Sequence, residues 1–160
     1  MRLLFSAINC TLDTSNGAAI SIRTLLRFLS RFGVECRSFS ASVYDRPASE
    51  DPLENIMATG ALPVQEPGLP QTLWLGADEG VQHYIEFMPA RVQREFTPAD
   101  EQTLYNRVLR MLDTYQPDVL LLYGWLVKFD RRPNAEGERP TPAAKNDHEW
   151  NKGKDKTRTA

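Results

Sequence analysis

The sequence predicts an α/β domain organised around a parallel sheet, and three observations carry that prediction. The first forty or so residues read as strand, helix, strand, the unit whose crossover makes neighbouring strands parallel. The run "DVLLLYG", Asp118 to Gly124, is apolar almost throughout, as a strand covered on both faces is. Between them, Thr72 to Leu75 and Val81 to Phe87 flank "GADEG", the spacing of a hairpin with glycines in its loop.

"RLLFSAI", Arg2 to Ile8, is a short apolar run bounded by polar residues and reads as a buried strand. Asn9 to Gly17 reads as loop. From Ala18 the period changes: Ile22, Leu25, Leu26, Leu29 and Phe32 recur at three and four and make one helical face apolar. Arg31 falls in the last turn, where a cation suits the helix dipole, and Gly33 is placed to end the helix in a left-handed conformation. "VECRSFSA", Val34 to Ala41, alternates as a second strand. "SEDPLENIMATGA" fits a short helix from near Pro52 to Gly60. The hairpin follows, expected as an insertion beside the parallel sheet. Thr97, Pro98 and Asp100 spell a capped helix start, and Leu104, Val108, Met111 and Tyr115 track one face. Pro117 ends that helix. The whole is a Rossmann-like, partial doubly wound parallel sheet with an inserted β-hairpin.

The 160 residues are enough for one domain with a real core, and 41% hydrophobic with 25% charged residues is a soluble globular mixture. After Val127 the character shifts. Residues 128–160 contain no Ile, Leu, Val or Met, so the expected division is a domain over 1–127 and a disordered polar tail over 128–160. The net charge of -2 supplies no global field toward nucleic acid, and the basic residues of the tail lack interleaved aromatics. No apolar stretch is long enough to span a bilayer and no secretory leader is visible, so the expected compartment is the cytoplasm, with room for peripheral membrane contact. Cys10 and Cys36 match neither a disulfide framework nor a zinc motif. Neither His83 nor His148 pairs with Cys10 in the pattern, so no nucleophile and no metal site is expected.

Two readings of the joint at Asn16–Gly17 stand side by side. It is a turn in which Ser15 or Asn16 caps the helix. Or it is an anion site, because the N–H groups of Gly17, Ala18 and Ala19 would be open at a helix start and Gly17 lets the backbone approach closely. The segment is neither a P-loop nor a GxGxxG fingerprint.

The strand "LLFSAI", the loop ending in Gly17, the helix with "TLLRFLSRFGVEC" and the strand in "YQPDVLLLYG" together resemble the amino-terminal domain of GT-B glycosyltransferases of family 4. The resemblance covers about Met1 to Gly124. It implies a transferase that moves a sugar from a nucleotide-sugar donor to a glycan or small-molecule acceptor across a cleft between two domains, with no further cofactor and no metal. The amino-terminal domain would hold the acceptor. By resemblance, Asn16, Gly17 and Ala18 would meet the donor phosphate, and Asp13, Thr14, Ser15 and Arg23 the acceptor; ordinary loop polarity and a solvated helix face are the competing readings of that second group. Tyr123 and Gly124 would end a strand at the cleft. The paired glutamates eight positions apart that usually mark the second domain are not found. The chain therefore reads as a truncated transferase that does not turn over alone. The alternative is a small, non-catalytic Rossmann-like module that binds a nucleotide or a protein.

Overall fold

The computed structural model describes residues 1–65, 72–90, 92 and 95–123. The chain divides into two units, Met1–Asp130 and Arg131–Ala160, and every described residue belongs to the first. The expected tail over 128–160, and its boundary, lie outside the described residues.

Six strands form one sheet: β1 (Arg2–Ala7), β2 (Glu35–Ala41), β3 (Leu62–Pro63), β4 (Leu73–Asp78), β5 (Val81–Glu86) and β6 (Val119–Tyr123). Their order across the sheet is β3-β4-β5-β2-β1-β6. β5, β2, β1 and β6 run parallel, with Phe39 opposite Tyr84, Phe5 opposite Ser38 and Phe5 opposite Leu121. β4 pairs antiparallel with both β5 and β3. The predicted α/β fold with a largely parallel sheet is the observed one.

The hairpin sits differently from its expected place. It is no insertion beside the parallel sheet, because its second arm, β5, is the third parallel strand. Gly76, Ala77 and Asp78 belong to β4, and the turn is only Glu79–Gly80, both at positive φ (46° and 85°). A two-residue turn of this hand matches the natural twist of two strands, and glycine takes the second position without strain.

Helix α1 (Gly17–Arg31) connects β1 to β2, and α3 (Pro98–Tyr115) connects β5 to β6. Strand residues alternate between two cores. Leu3, Phe5, Ala7, Cys36 and Val81 pack with Leu26 and the inner edge of α1. Leu4, Ile8, Phe39 and Ala41 pack with Leu104, Val108, Met111 and Tyr115 of α3. Short α2 (Pro52–Met57) seats Ile56 with Cys10, Tyr44, Trp74 and Ile85 in a third cluster.

The caps form as read: Thr97 and Asp100 make a reciprocal capping box on α3, and Gly33 leaves α1 at φ 80°. One expectation for α1 is corrected. Leu25 and Phe32 are exposed, at 43% and 71%, because the helix lays only a narrow stripe centred on Leu26 against the sheet.

Candidate functional site

In a parallel sheet of this order the loops at the carboxyl ends of the strands gather on one edge, and the order reverses between β1 and β6. Two cavities lie there, one on either side of the β1–α1 loop.

The first is the more polar of the two, about 240 Å³, and lined by Asp13, Thr14, Ser15 and Arg23 together with Tyr44, Arg46, Asn55, Thr59 and a few apolar side chains. All four sequence-predicted acceptor residues therefore share one cavity. Residues that the pattern does not single out also contribute, among them Arg46 from the β2–α2 loop, and Asn55 and Thr59 from around α2. The signal that locates Arg46 is its place just beyond the carboxyl end of β2.

Most polar groups of this cavity are already engaged. Asp13, 4% exposed, accepts from the Ser15 N–H at 2.8 Å and the Ser15 hydroxyl at 2.6 Å through one oxygen. Its other oxygen accepts from the Asp45 N–H at 2.8 Å. The Ser15 hydroxyl oxygen accepts from the Arg46 N–H at 3.1 Å. Asp13 and Ser15 thus clamp the β1–α1 loop to the β2–α2 loop. Asn55 is spent on the backbone of Ser49 and Asp51, and the Thr59 hydroxyl donates to the Ile56 carbonyl.

The second cavity, about 290 Å³, is apolar. Phe5 and Ala7 of β1, Ile22 and Leu25 of α1 and Tyr123 of β6 form its walls, with Asn9, Thr11 and Asn16 at its polar end. Tyr123 thus lines the switch point; Gly124 lies outside the described residues.

At the joint between the cavities the chain passes from strand to helix as predicted, and Gly17 is exposed. The amides are another matter. Asn16 Oδ1 accepts from the N–H groups of Ala18 at 2.8 Å and Ala19 at 3.1 Å. The expectation of three open amides is corrected to one, that of Gly17, because the asparagine side chain takes the place an anion would fill. Asn16 and Ala18 line the apolar cavity; Gly17 lines neither.

Arg23 is half committed. Its Nε donates to Asp78 Oδ2 at 3.1 Å, and Arg27 grips the same carboxylate at 2.8 and 2.5 Å. Burial would raise the Asp78 carboxyl, but hydrogen bonds from Arg27 and Arg23 and their charges hold it below the usual carboxylate range.

Beneath this pair lies a polar network that the sequence did not announce. His83 is fully buried; its Nδ1 meets the hydroxyls of Ser38 at 2.7 Å and Thr11 at 3.1 Å. Its Nε2 lies 3.9 Å from Asp78 Oδ2 with no hydrogen-bond partner. Burial is the main cause that pushes the imidazole down to about 4; Asp78 opposes this and Arg23 and Arg27 add to it, so the ring is neutral at pH 7. Ser38, His83 and Asp78 have the composition of a hydrolytic triad but not its form. The serine faces Nδ1 where a nucleophile faces Nε2, and no substrate reaches Ser38 at 0% exposure. It is a core network.

Cys10 is equally enclosed. Burial pushes its thiol up to about 11, so it stays protonated and inert. Burial likewise raises the neighbouring Tyr44 hydroxyl, which has no hydrogen-bond partner of good geometry. Both cysteines are free. Among the described residues no group of three or more His, Cys, Asp or Glu is arranged to hold a metal, and no helix is long and apolar enough to cross a membrane.

Comparison of the chain with protein-family models, with curated proteins and with solved structures finds no match in any of the three.

Proposed function

We propose that this chain is an acceptor-side domain of a GT-B glycosyltransferase of the family 4 kind, whose full reaction moves a sugar from a nucleotide-sugar donor to an acceptor. The observation that carries the reading is the polar cavity at the carboxyl edge of the sheet, where Asp13, Thr14, Ser15 and Arg23 converge. The strand order β5-β2-β1-β6 supports it, since a doubly wound sheet of that order binds ligands at this edge.

The domain contributes binding and orientation rather than proton transfer. Both oxygens of Asp13 are occupied by hydrogen bonds, and His83 is sealed in the core. No described side chain in the cavity is an uncommitted general base. The expected result of incubating the purified chain with a panel of nucleotide sugars and acceptors is neither transfer nor donor hydrolysis, while acceptor sugars perturb the amide resonances of Thr14 and Ser15. Robust turnover by the chain alone would overturn the division of labour; silence of those amides toward every sugar would overturn the acceptor role.

One observation favours a second reading, a non-catalytic protein-binding module. The apolar cavity beside β6, with Leu120, Leu121 and Leu122 37–39% exposed, is the kind of surface a partner protein covers. A cooperative melt with one defined oligomer and no response to sugars would select it.

A further inference from the structure

Resting on the transferase reading, we infer that the polar cavity recognises an anionic oxygen group, a phosphate borne by the ligand, and that Arg46 is its anchor. The inference comes from which groups the fold leaves unspent. Both oxygens of Asp13 accept hydrogen bonds from within the protein, so the one carboxylate lining the cavity offers a ligand no free acceptor oxygen. The side chains of Asn55 and Thr59 are bonded to nearby backbone, and the Ser15 hydroxyl is held between Asp13 and the Arg46 N–H.

What remains are donors. Arg23 commits only Nε to Asp78, which leaves its two terminal nitrogens. Arg46 is exposed and meets no carboxylate among the described residues, and the hydroxyl of Thr14, also an exposed residue, is likewise unengaged among them. Two arginines and a threonine among the residues lining about 240 Å³, with no uncommitted carboxylate, suit a tetrahedral oxyanion far better than a neutral sugar hydroxyl. Arg46 is also held in place. Its own N–H is tied to Ser15, which Asp13 fixes in turn, so the cation is presented from a clamped loop. The helix start at Gly17, by contrast, has most of its amides capped by Asn16. Phosphate recognition on this domain therefore belongs to the arginines.

The phosphate can come from the acceptor or from the donor's diphosphate, and the experiment separates the two. The isotope-labelled full chain is titrated at low ionic strength with inorganic phosphate, glycerol 3-phosphate, uridine diphosphate and, as a neutral control, glycerol. The expected result is saturable movement of the Thr14, Ser15 and Arg46 amides with the three phosphates and none with glycerol. Arg46→Ala should weaken the affinity about tenfold or more, and Arg46→Lys should recover part of the loss. Binding of glycerol 3-phosphate as tight as that of the nucleotide assigns the phosphate to the acceptor; a much tighter nucleotide assigns it to the donor. Unchanged affinity in Arg46→Ala, or no saturable response to any phosphate, overturns the inference. If a neutral glycan moves these amides while phosphate does not, the anion assignment falls and the acceptor-domain reading stands. Arg46 is solvent-exposed, so an unaltered melting curve is expected to show that the variant is folded.

Discussion

Asn16 and Gly17 divide the work at the start of α1 in a way that the residue names alone do not reveal. The asparagine carries the cap, holding two first-turn N–H groups. Asn16→Ala should therefore cost about 1 kcal/mol in a urea melt. A Cβ on Gly17 would meet no atom within 4 Å, and its φ lies outside the left-handed region. Gly17→Ala should accordingly leave the fold intact and raise its stability by about 0.5 kcal/mol, because the unfolded chain loses freedom. A large destabilisation in that variant would show a backbone demand that the geometry lacks. His83 makes the other residue-scale prediction. In the unfolded chain its imidazole takes up a proton near 6.5, and in the fold only near 4. Between those values the unfolded state binds more protons, so stability is full above about pH 6.5 and falls as the pH drops toward 4. The loss is on the order of 3 kcal/mol. Unfolding free energies measured across that range should show the slope, and His83→Gln should flatten it.

Among the elements, α3 was the most legible. Its cap, its buried face and its end at Pro117 all follow from local chemistry, and Leu104, Val108, Met111 and Tyr115 are buried as read. What the pattern hid is the ion pair that fastens α3 to the sheet. Arg107, only 7% exposed, donates through Nε to Glu86 Oε2 at 2.7 Å, and Thr72 donates to the other oxygen at 2.5 Å. An arginine on a helix and a glutamate at a strand end look like surface residues until the β5–α3 crossover brings them together. Removing one partner strands the other in the core. Arg107→Leu should cost about 3–5 kcal/mol, and adding Glu86→Leu should recover most of it, since a buried pair is costly to break but replaceable. Equal costs for the single and double variants in chemical denaturation would refute the coupling. The hairpin was legible as a hairpin, yet its place was not, because local alternation cannot say which neighbour a strand's free edge will take.

At the scale of the whole molecule, β6 is one edge of the sheet among the described residues. Among the described residues it pairs with β1 alone, and its three leucines and Tyr123 are 37–56% exposed. An apolar strand with an open backbone edge is an aggregation hazard. Leu122→Lys should raise the concentration at which the chain stays monodisperse in light scattering while shifting the melting temperature little; an unchanged onset would mean that the edge is covered. The sequence by itself determined the helices and the main strands, though not short β3 or the Gly76–Asp78 end of β4, and with them the caps of α1 and α3 and the place of β1, β2 and β6 in a parallel sheet. Those properties rest on periodicity, capping chemistry and excluded backbone angles, which are local. Tertiary structure alone decided that β5 joins the parallel strands, that Asn16 spends the amides of its own helix, that His83 sits neutral beneath Asp78, and that Arg46 faces the cavity beside Arg23. Those depend on contacts such as Ser38 with His83, 45 residues apart, and Arg23 with Asp78, 55 apart, or on a competition for one hydrogen-bond partner, and only the assembled sheet brings such groups within reach.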